Sequence, residues 1–357
     1  MTYWALLICF IASVLLTPVV KRFAFFVGAT DKPNQRKVHQ KIMPRLGGLA
    51  IFLSFLIGVL IVQPASQYTV PIVLGAIVII ITGVFDDIFE LSPKVKLLGQ
   101  IIAAGIVIYG GVEVHFINLP FDYRLSLGIL GVPLTLLWII GITNAINLID
   151  GLDGLAAGVS STVLITISGM AVYNGNVLVA ALGIILLGST LGFLVYNWHP
   201  AKIFMGDTGA LFLGYMIAVL SLLGFKNITL FSLVVPIIIL GVPISDTLFA
   251  IVRRFLNKKP LSAPDKSHLH HCLLNSGMSH RQTVLVIYAM SALFGLAAIL
   301  FNLTTLWGSL LILSVLLLIT QFIAERIGLV GKDHAPVNKF LRKIFYTLKA
   351  ANPRVGK

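Results

Sequence analysis

Residues 177–194 read VLVAALGIILLGSTLGFL, a stretch without a single charged side chain. A helix needs about 20 mostly apolar residues to cross the hydrocarbon core of a bilayer. Similar stretches recur along the chain and predict about eleven transmembrane helices, with windows at 3–20, 46–63, 70–85, 98–112, 127–143, 157–173, 177–194, 208–224, 229–250, 284–301 and 305–324. The predicted fold class is therefore all-α, a polytopic integral membrane protein.

The composition excludes several other classes of protein. Hydrophobic residues make up 58% of the chain and charged residues only 11%, against about 25% charged residues in soluble domains. A water-soluble enzyme, a disordered chain and an ordinary nucleic-acid-binding module are excluded. Cys9 and Cys272 are too few for a disulfide framework. No basic residue precedes the first apolar stretch and no cleavage signature follows it, so we expect a retained span rather than a signal peptide.

The basic residues predict the orientation in the membrane. Of the 26 Lys and Arg residues, 24 lie in segments that follow odd-numbered spans or in the C-terminal tail, and only Arg124 and Lys226 lie on the other side. The positive-inside rule then places the N-terminus outside and the C-terminus in the cytoplasm. The formal net charge of +13 thus reflects topology, with added attraction to anionic membrane lipid, and requires no nucleic acid.

We predict a single transmembrane catalytic domain over residues 1–330, followed by a basic amphipathic cytoplasmic tail over 331–357. In the tail, apolar residues such as Phe340 and Ile344 recur at helical spacing between lysines and arginines. The predicted cytoplasmic loops of the domain are 21–45, 86–97, 144–156, 195–207 and 251–283.

The acidic residues lie on the same predicted side as the basic ones. Of 13 Asp and Glu residues, 11 fall in cytoplasmic segments, and only Glu113 and Asp122 do not. A transporter, the alternative from a different class, is expected to carry ionisable groups near the bilayer midplane. The middles of these spans are almost free of charge, so the sequence favours chemistry at one face.

Two of these loops place carboxylates or bases at the ends of spans. Asp86 and Asp87 are adjacent at the end of an apolar span, where two carboxylates repel each other unless a cation or lysine compensates. The alternative is a frayed helix end that faces water. Arg45, in the first loop, is a candidate phosphate ligand or a topology signal only.

Two further loops combine amides, carboxylates and glycines. Asn144, Asn147 and Asp150 recur every three positions and are predicted to line one helical ridge, with Asp153 after them. Asp207 begins the eighth span, where it either binds a metal ion or caps the helix.

The last cytoplasmic loop is rich in bases. It contains Arg253, Arg254, His268, His270 and His271. A zinc site is one interpretation of the histidines, but Cys272 is the only further ligand nearby, and an anion-binding strip is favoured. Taken together, the loops offer oxygen ligands for Mg²⁺ and bases for phosphate. The sequence therefore predicts phosphoryl transfer from a diphosphate donor to a substrate in the membrane.

The motifs in these loops resemble those of a known family. The strings Asp86-Asp87, Asn144-x-x-Asn147-x-x-Asp150-Gly-x-Asp153-Gly, Phe204-Met-Gly-Asp207-Thr-Gly and His268-x-His270-His271 occur in the order of the polyprenyl-phosphate N-acetylhexosamine-1-phosphate transferases. The resemblance covers roughly residues 30–280 and favours the WecA/TagO branch, particularly the TagO type, over the MraY type.

The resemblance implies roles for individual residues. It implies catalytic roles for Asp86, Asp87 and Lys96, and a metal site at Asp207 with Asn147 nearby. Asp153 and Asn197 match positions that contact uridine, and the other candidate substrate ligands are Asn144, Asp150, Arg45, Arg253, Arg254, His268, His270 and His271. Whether the aspartate pair acts as a base, holds the metal or positions Lys96 stays open.

The resemblance also implies a reaction and a location. The substrates would be UDP-N-acetylglucosamine and undecaprenyl phosphate, the products undecaprenyl-diphospho-N-acetylglucosamine and UMP, and the cofactor Mg²⁺, with Mn²⁺ as an alternative ion. The enzyme would work at the cytoplasmic face of a bacterial plasma membrane, in the first membrane step of a cell-envelope polysaccharide such as teichoic acid. Transfer from UDP-muramoyl-pentapeptide is the alternative within the family, and a homodimer is an open alternative to a monomer.

Overall fold

The computed structural model describes residues 2–31, 42–118, 124–225, 233–258, 260, 265 and 267–329. The predicted tail and most of the first loop lie outside these residues. The described part is mostly helical, and its helices are α1 (Thr2–Val27), α2 (Gly47–Val62), α3 (Thr69–Phe89), α4 (Pro93–Tyr109), α5 (Gly131–Ile149), α6 (Leu155–Tyr173), α7 (Val177–Asn197), α8 (Gly206–Phe225), α9 (Val234–Ile239), α10 (Gly241–Leu256), α11 (Leu269–Asn275), α12 (His280–Leu303) and α13 (Leu306–Ile327).

Two short antiparallel strand pairs accompany the helices. β1 (Thr30–Asp31) pairs with β2 (Met43–Pro44), and β3 (Phe116–Asn118) pairs with β4 (Arg124–Ser126). Among the described residues, eight helices are long and apolar enough to cross a membrane, namely α1, α3, α5, α6, α7, α8, α12 and α13. The protein is a multi-pass helical membrane protein, as predicted.

The ninth predicted span is not one helix in the structure. Within the window 229–250, α9 ends at Ile239 and α10 begins at Gly241. Pro243 has no backbone N–H to donate to the carbonyl of Ile239, and its ring crowds that carbonyl, so the helix is interrupted there. The prediction of one continuous span at this position was wrong.

α8 lies at the centre of the bundle. Of the most apolar 18 residues of α8, 89% are buried inside the protein, whereas the corresponding share of α13 is 6%. The side chains of α13 therefore face outward. α8 packs against α2, α3, α5 and α6. Lipid tails are as apolar as the side chains between the helices. Contacts between helices within a membrane therefore depend on close packing rather than on the exclusion of water.

Glycines bring the ends of three helices close together. A Cβ on Gly48 of α2 would collide with the backbone of Gly209, and one on Gly83 of α3 with the backbone of Thr208. The first turn of α2 also pairs with the loop that precedes α8, because the N–H of Gly48 donates to Met205 O at 2.9 Å. The start of α8 is thereby held between α2 and α3.

Candidate active site

Four helices bring four predicted site residues together at one end of the bundle. Lys96, in the first turn of α4, donates from Nζ to Asp207 Oδ2 at 2.7 Å and lies 2.8 Å from Asp86 Oδ2. Asn147, in the last turn of α5, donates from Nδ2 to the same Asp207 oxygen at 3.3 Å. We call Asp86, Lys96, Asn147 and Asp207 the carboxylate–lysine cluster.

Asp87 has a different environment from its neighbour Asp86. Its side chain is buried, and it accepts the backbone N–H groups of Asp207 (3.1 Å, to Oδ1) and Thr208 (3.0 Å, to Oδ2). Thr208 Oγ1 also donates to Oδ2, at 2.6 Å. The first N–H groups of a helix have no partner within the helix, so Asp87 caps α8 from α3. Asp207, which the sequence left open as a cap, directs its carboxylate into the cluster instead.

Arg45 binds the end of α3 in the structure. Its Nε donates to the carbonyl of Asp87 at 3.0 Å, and its guanidinium lies 3.6 Å from the exposed carboxylate of Glu90. The last carbonyls of a helix lack internal partners and favour a nearby cation. Arg45 therefore stabilises the turn that carries both aspartates and is only partly available to a substrate.

The end of α5 carries a further carboxyl group with an altered pKa. Burial, together with the nearby carboxylates of Asp207, Asp87 and Asp153, raises the pKa of Asp150 to about 8. The direction follows because burial and like charges both disfavour the ionised form of an acid. The carboxylates around Asp150 are groups whose negative charge a divalent cation is suited to neutralise.

Asn197 and Asp153 connect the loop after α5 to the loop after α7. Asn197 accepts the N–H of Gly154 at 3.0 Å and donates to Ile203 O at 3.0 Å. Asp153 Oδ2 lies 2.7 Å from Nδ1 of His199 and accepts the N–H of Ala201. Asn197 is buried and Asp153 is partly exposed, so Asp153 is the more accessible of the two residues predicted to contact uridine.

The side chain of Asn144 forms hydrogen bonds with Gln100, a contact that the sequence did not indicate. Its Nδ2 donates to Gln100 Oε1 at 2.7 Å, and Gln100 donates back to Asn144 Oδ1 at 3.3 Å. This reciprocal amide pair joins α4 to α5. It holds Lys96 and Asn147 on facing helices.

The histidines of the last loop differ in what they contact. His268 Nδ1 lies 2.9 Å from Asp246 Oδ2, and the other Asp246 oxygen accepts the N–H of Leu269, so this pair fixes the start of α11. His270 is buried against Gly151, and its Nε2 has no hydrogen-bond partner among the described residues. The ring of His271 lies 4.2 Å from that of His270.

His270 is neutral near physiological pH. Burial, together with neighbouring His271, lowers the pKa of His270 to about 4. The charged form therefore predominates only below that pH, and His270 adds no titration step between pH 5 and 8. It can bind a phosphate through a neutral ring N–H but does not contribute the positive charge that an anion-binding strip suggests.

The two arginines of α10 are engaged differently. Arg253 is buried, forms an ion pair with Asp265 and donates to the carbonyl of Leu329, so it ties α10 to its own loop and to the end of α13. The Nε of Arg254 is buried without a hydrogen-bond partner among the described residues. Of the two, Arg254 is the better candidate for binding a ligand.

Several residues near the site were not singled out from the sequence. Thr208, Gln100, His199 and Tyr288, whose hydroxyl donates to Gly154 O, all hold predicted site residues in place. Thr208 follows Asp207 directly, and His199 lies in the same predicted loop, 195–207, so their proximity in sequence was a usable signal. Gln100 and Tyr288 lie within apolar spans, and only packing reveals their contacts.

The arrangement defines a class of protein. It is a helical membrane protein in which carboxylates, an amide and a lysine meet at the helix ends, where such groups bind a hard cation and phosphate. Residues 69–225 match the model of glycosyl transferase family 4. The chain belongs to this family.

Similar proteins in this family are named as transferases. The chain is 53% identical to the probable undecaprenyl-phosphate N-acetylglucosaminyl 1-phosphate transferase of Bacillus subtilis (strain 168), over 95% of this chain and 96% of that protein. It is 35% identical to the decaprenyl-phosphate N-acetylglucosaminephosphotransferase of Mycobacterium tuberculosis (strain H37Rv), over 82% and 80%. The phospho-N-acetylmuramoyl-pentapeptide-transferase of Halalkalibacterium halodurans is 32% identical, over 82% and 95%.

Proposed function

We propose that this protein transfers N-acetylglucosamine 1-phosphate from UDP-N-acetylglucosamine to undecaprenyl phosphate, giving undecaprenyl-diphospho-N-acetylglucosamine and UMP. The observation that carries the proposal is the 53% identity to the Bacillus subtilis protein over almost the whole of both chains. The carboxylate–lysine cluster supports it, because its residues come from the ends of four helices and combine oxygen ligands for a cation with an amine that can bind phosphate.

The donor atoms of the cluster fit Mg²⁺, with Mn²⁺ as an alternative ion. Asp86 and Asp207 supply carboxylate oxygens and Asn147 an amide oxygen, which are the ligands that these hard cations prefer. The carboxylates of Asp87, Asp153 and Asp207 lie near enough to Asp150 to raise its pKa, in addition to the larger effect of burial, so several acidic groups share this end of the bundle. When bound, the ion would neutralise charge on the donor's diphosphate.

The acceptor phosphate needs little help from a general base. The second pKa of a phosphate monoester is near 6, so most of the lipid phosphate is a dianion at neutral pH. Positioning and charge neutralisation then contribute most to catalysis. We assign Asp207, Asp86 and Lys96 to these tasks and Asp87 to holding the start of α8.

We propose that Asp153 contacts the uridine and that Arg254 and His270 bind the donor's diphosphate or sugar. Arg254 and His270 each keep a buried nitrogen without a partner among the described residues, and both lie within the predicted loop 251–283, Arg254 in α10 and His270 in α11. A buried polar group without a partner is costly, so a bound ligand would satisfy both nitrogens.

We expect Arg254→Ala and His270→Ala to raise the KM for UDP-N-acetylglucosamine or lower kcat, with less effect on the lipid's KM. Losing one hydrogen bond to a charged group costs about 1.5–3 kcal/mol, or roughly ten- to a hundredfold in kcat/KM. Steady-state kinetics with each substrate varied in turn measures this. Arg124→Ala, which removes a guanidinium that lies over the ring of Phe116 in the β3–β4 hairpin, is the control. Unchanged donor kinetics in both variants would remove the last loop from the site.

We further propose that residues 1–330 form one catalytic domain with its site at the cytoplasmic face of a bacterial plasma membrane. The positive-inside count supports an outer N-terminus and a cytoplasmic C-terminus. It also supports a total of about eleven spans, in which α2, α4 and the interrupted pair α9–α10 cross the membrane in addition to the eight long helices. The product would begin a cell-envelope polysaccharide such as teichoic acid.

A panel of UDP-sugars tests the reaction. Purified protein, undecaprenyl phosphate and Mg²⁺ are incubated with each donor, and the lipid product is identified by mass. We expect transfer from UDP-N-acetylglucosamine and none from UDP-muramoyl-pentapeptide, because the predicted loop 251–283 carries bases for a compact diphosphate-sugar rather than an apolar groove for a peptide. Efficient transfer from the pentapeptide donor would place the protein with the Halalkalibacterium relative. Uptake into sealed vesicles without UMP release would identify a transporter instead.

A further inference from the structure

Three side chains beside the carboxylate–lysine cluster form a group that the transferase reaction does not use as a unit. One oxygen of Asp153 and one ring nitrogen each of His199 and His280 lie within 4.8 Å of one another. They come from the loop after α5, the loop after α7 and the first residue of α12. The sequence separates them by 46 and 81 positions, so only the fold brings them together.

The chemistry of these three ligands differs from that of the carboxylate–lysine cluster. Two imidazoles and one carboxylate are ligands that suit Zn²⁺ and similar transition metals, whereas Mg²⁺ prefers oxygen ligands only. Three protein ligands leave the fourth tetrahedral position of zinc open to water or to another ligand.

The surroundings of the group favour an ion. The Nε2 atom of His280 is buried and has no hydrogen-bond partner among the described residues. The rings of His199 and His280 are stacked with their centroids 4.0 Å apart, and one nitrogen of each lies within 4.8 Å of an oxygen of Asp153. The side chain of His199 is 37% exposed, which gives an ion access from water.

The backbone around the group is already fixed. Asp153 Oδ2 accepts the N–H of Ala201 at 3.1 Å, and Arg281 donates to the carbonyl of His199 at 3.2 Å. These bonds tie the loop after α7 to the loop after α5 and to α12. Ligands on a fixed backbone lose little conformational freedom when a metal binds.

We propose that Asp153, His199 and His280 form a Zn²⁺ site and that Zn²⁺ bound there inhibits the transferase. The inhibition rests on the proposed function, in which Asp153 contacts the uridine of the donor. Zinc and the nucleotide then compete for one carboxylate, and inhibition should be relieved by excess donor or by a chelator.

Metal binding is measured first, on the full-length protein in detergent without substrates. Zn²⁺ is titrated against a chelating dye in the presence of excess Mg²⁺. We expect one equivalent of Zn²⁺ to bind. His199→Gln and His280→Gln should each weaken binding by at least tenfold, because the loss of even a residue that only hydrogen-bonds to a ligating histidine lowers metal affinity by about ten- to a hundredfold. His115→Gln, which changes an exposed histidine next to the β3–β4 hairpin, is the matched control and should leave binding unchanged. Zn²⁺ affinity that is the same in the two site variants as in the unmodified protein would overturn the site.

Inhibition is measured separately, by UMP release at increasing Zn²⁺. His280→Gln should keep basal turnover and require at least tenfold more Zn²⁺ for half-inhibition, while His115→Gln should respond like the unmodified protein. Binding that depends on both histidines, together with turnover insensitive to Zn²⁺, would support the metal site and overturn its competition with the donor. A protein that binds Zn²⁺ at this site but releases no UMP would refute the proposed function and leave the metal site standing.

Discussion

Asp207→Asn should lower kcat by about a hundred- to a thousandfold, the range seen when one preorganised electrostatic group is removed from a catalytic site. The substitution keeps the shape of the side chain but removes the negative charge of the carboxylate that accepts hydrogen bonds from Lys96 and Asn147. We expect a higher Mg²⁺ requirement as well, since an uncharged amide is a weaker ligand for a hard cation. UMP release over a range of Mg²⁺ concentrations measures both effects.

The fold should survive this substitution. The start of α8 is capped by Asp87 rather than by the side chain of Asp207, and Lys96 keeps its contact with Asp86. Glu90→Gln is the matched control, because it also removes one negative charge, at the end of α3 that carries Asp86, but from a side chain that is 81% exposed. Near-normal turnover of Asp207→Asn at ordinary Mg²⁺, with the control also active, would contradict a metal-binding role for Asp207.

Much of the fold was predictable because a bilayer imposes strong constraints on sequence. Uncharged stretches of the length that a membrane requires mark the helices, and each predicted span except the ninth coincides with one helix. The break between α9 and α10 depends on Pro243, whose effect in an otherwise apolar stretch is local and does not change the mean hydropathy. A window of about 20 residues averages such a break away.

The candidate site was predictable as a set of residues but not as a set of contacts. Motifs at the ends of spans identified Asp86, Asn147 and Asp207, because charged groups beside a membrane span are costly without a function. The family resemblance added Lys96. The contact of Lys96 with both Asp86 and Asp207 depends on how α3, α4 and α8 pack. Lys96 and Asp207 are 111 positions apart, so the sequence carries no local signal of this contact.

The same limit applies to residues whose contacts in the structure go beyond their predicted roles. Arg253 has the charge of a phosphate ligand, yet Asp265 and the carbonyl of Leu329 engage it. Asn144 has the spacing of a site residue, yet it pairs with Gln100. Charge and spacing predict which groups are near a site, whereas the partner that each group finds depends on the tertiary structure.

Asp86 and Asp87 show most clearly that residues of one motif can have different partners in the structure. The sequence treats Asp86 and Asp87 as one motif, but successive residues of a helix point about 100° apart. Asp86 therefore faces Lys96, while Asp87 faces the backbone of α8. Substituting each residue should separate two functions that the motif combines.

Asp87→Asn should lower both the stability of the protein and kcat, and we expect the loss in kcat to reach about a hundredfold. Asp87 accepts hydrogen bonds at both oxygens from backbone N–H groups, so the amide NH₂ of an asparagine must face at least one donor. A buried donor left without an acceptor costs about 1–3 kcal/mol. The start of α8 would shift, and a displacement of about 1 Å in a catalytic group can cost a hundredfold in rate.

Thr208→Val tests whether Asp87→Asn lowers kcat by displacing the start of α8. It removes the hydroxyl that donates to Asp87 at 2.6 Å and should change melting temperature and kcat in the same direction as Asp87→Asn, but less. Thr190→Val is the matched control, because that buried hydroxyl donates only within α7, to Leu186 O. If Asp87→Asn melts like the unmodified protein and is nevertheless inactive, Asp87 acts on the substrate itself. If instead stability and kcat fall together across Asp87→Asn and Thr208→Val, Asp87 serves catalysis by holding Asp207 in place.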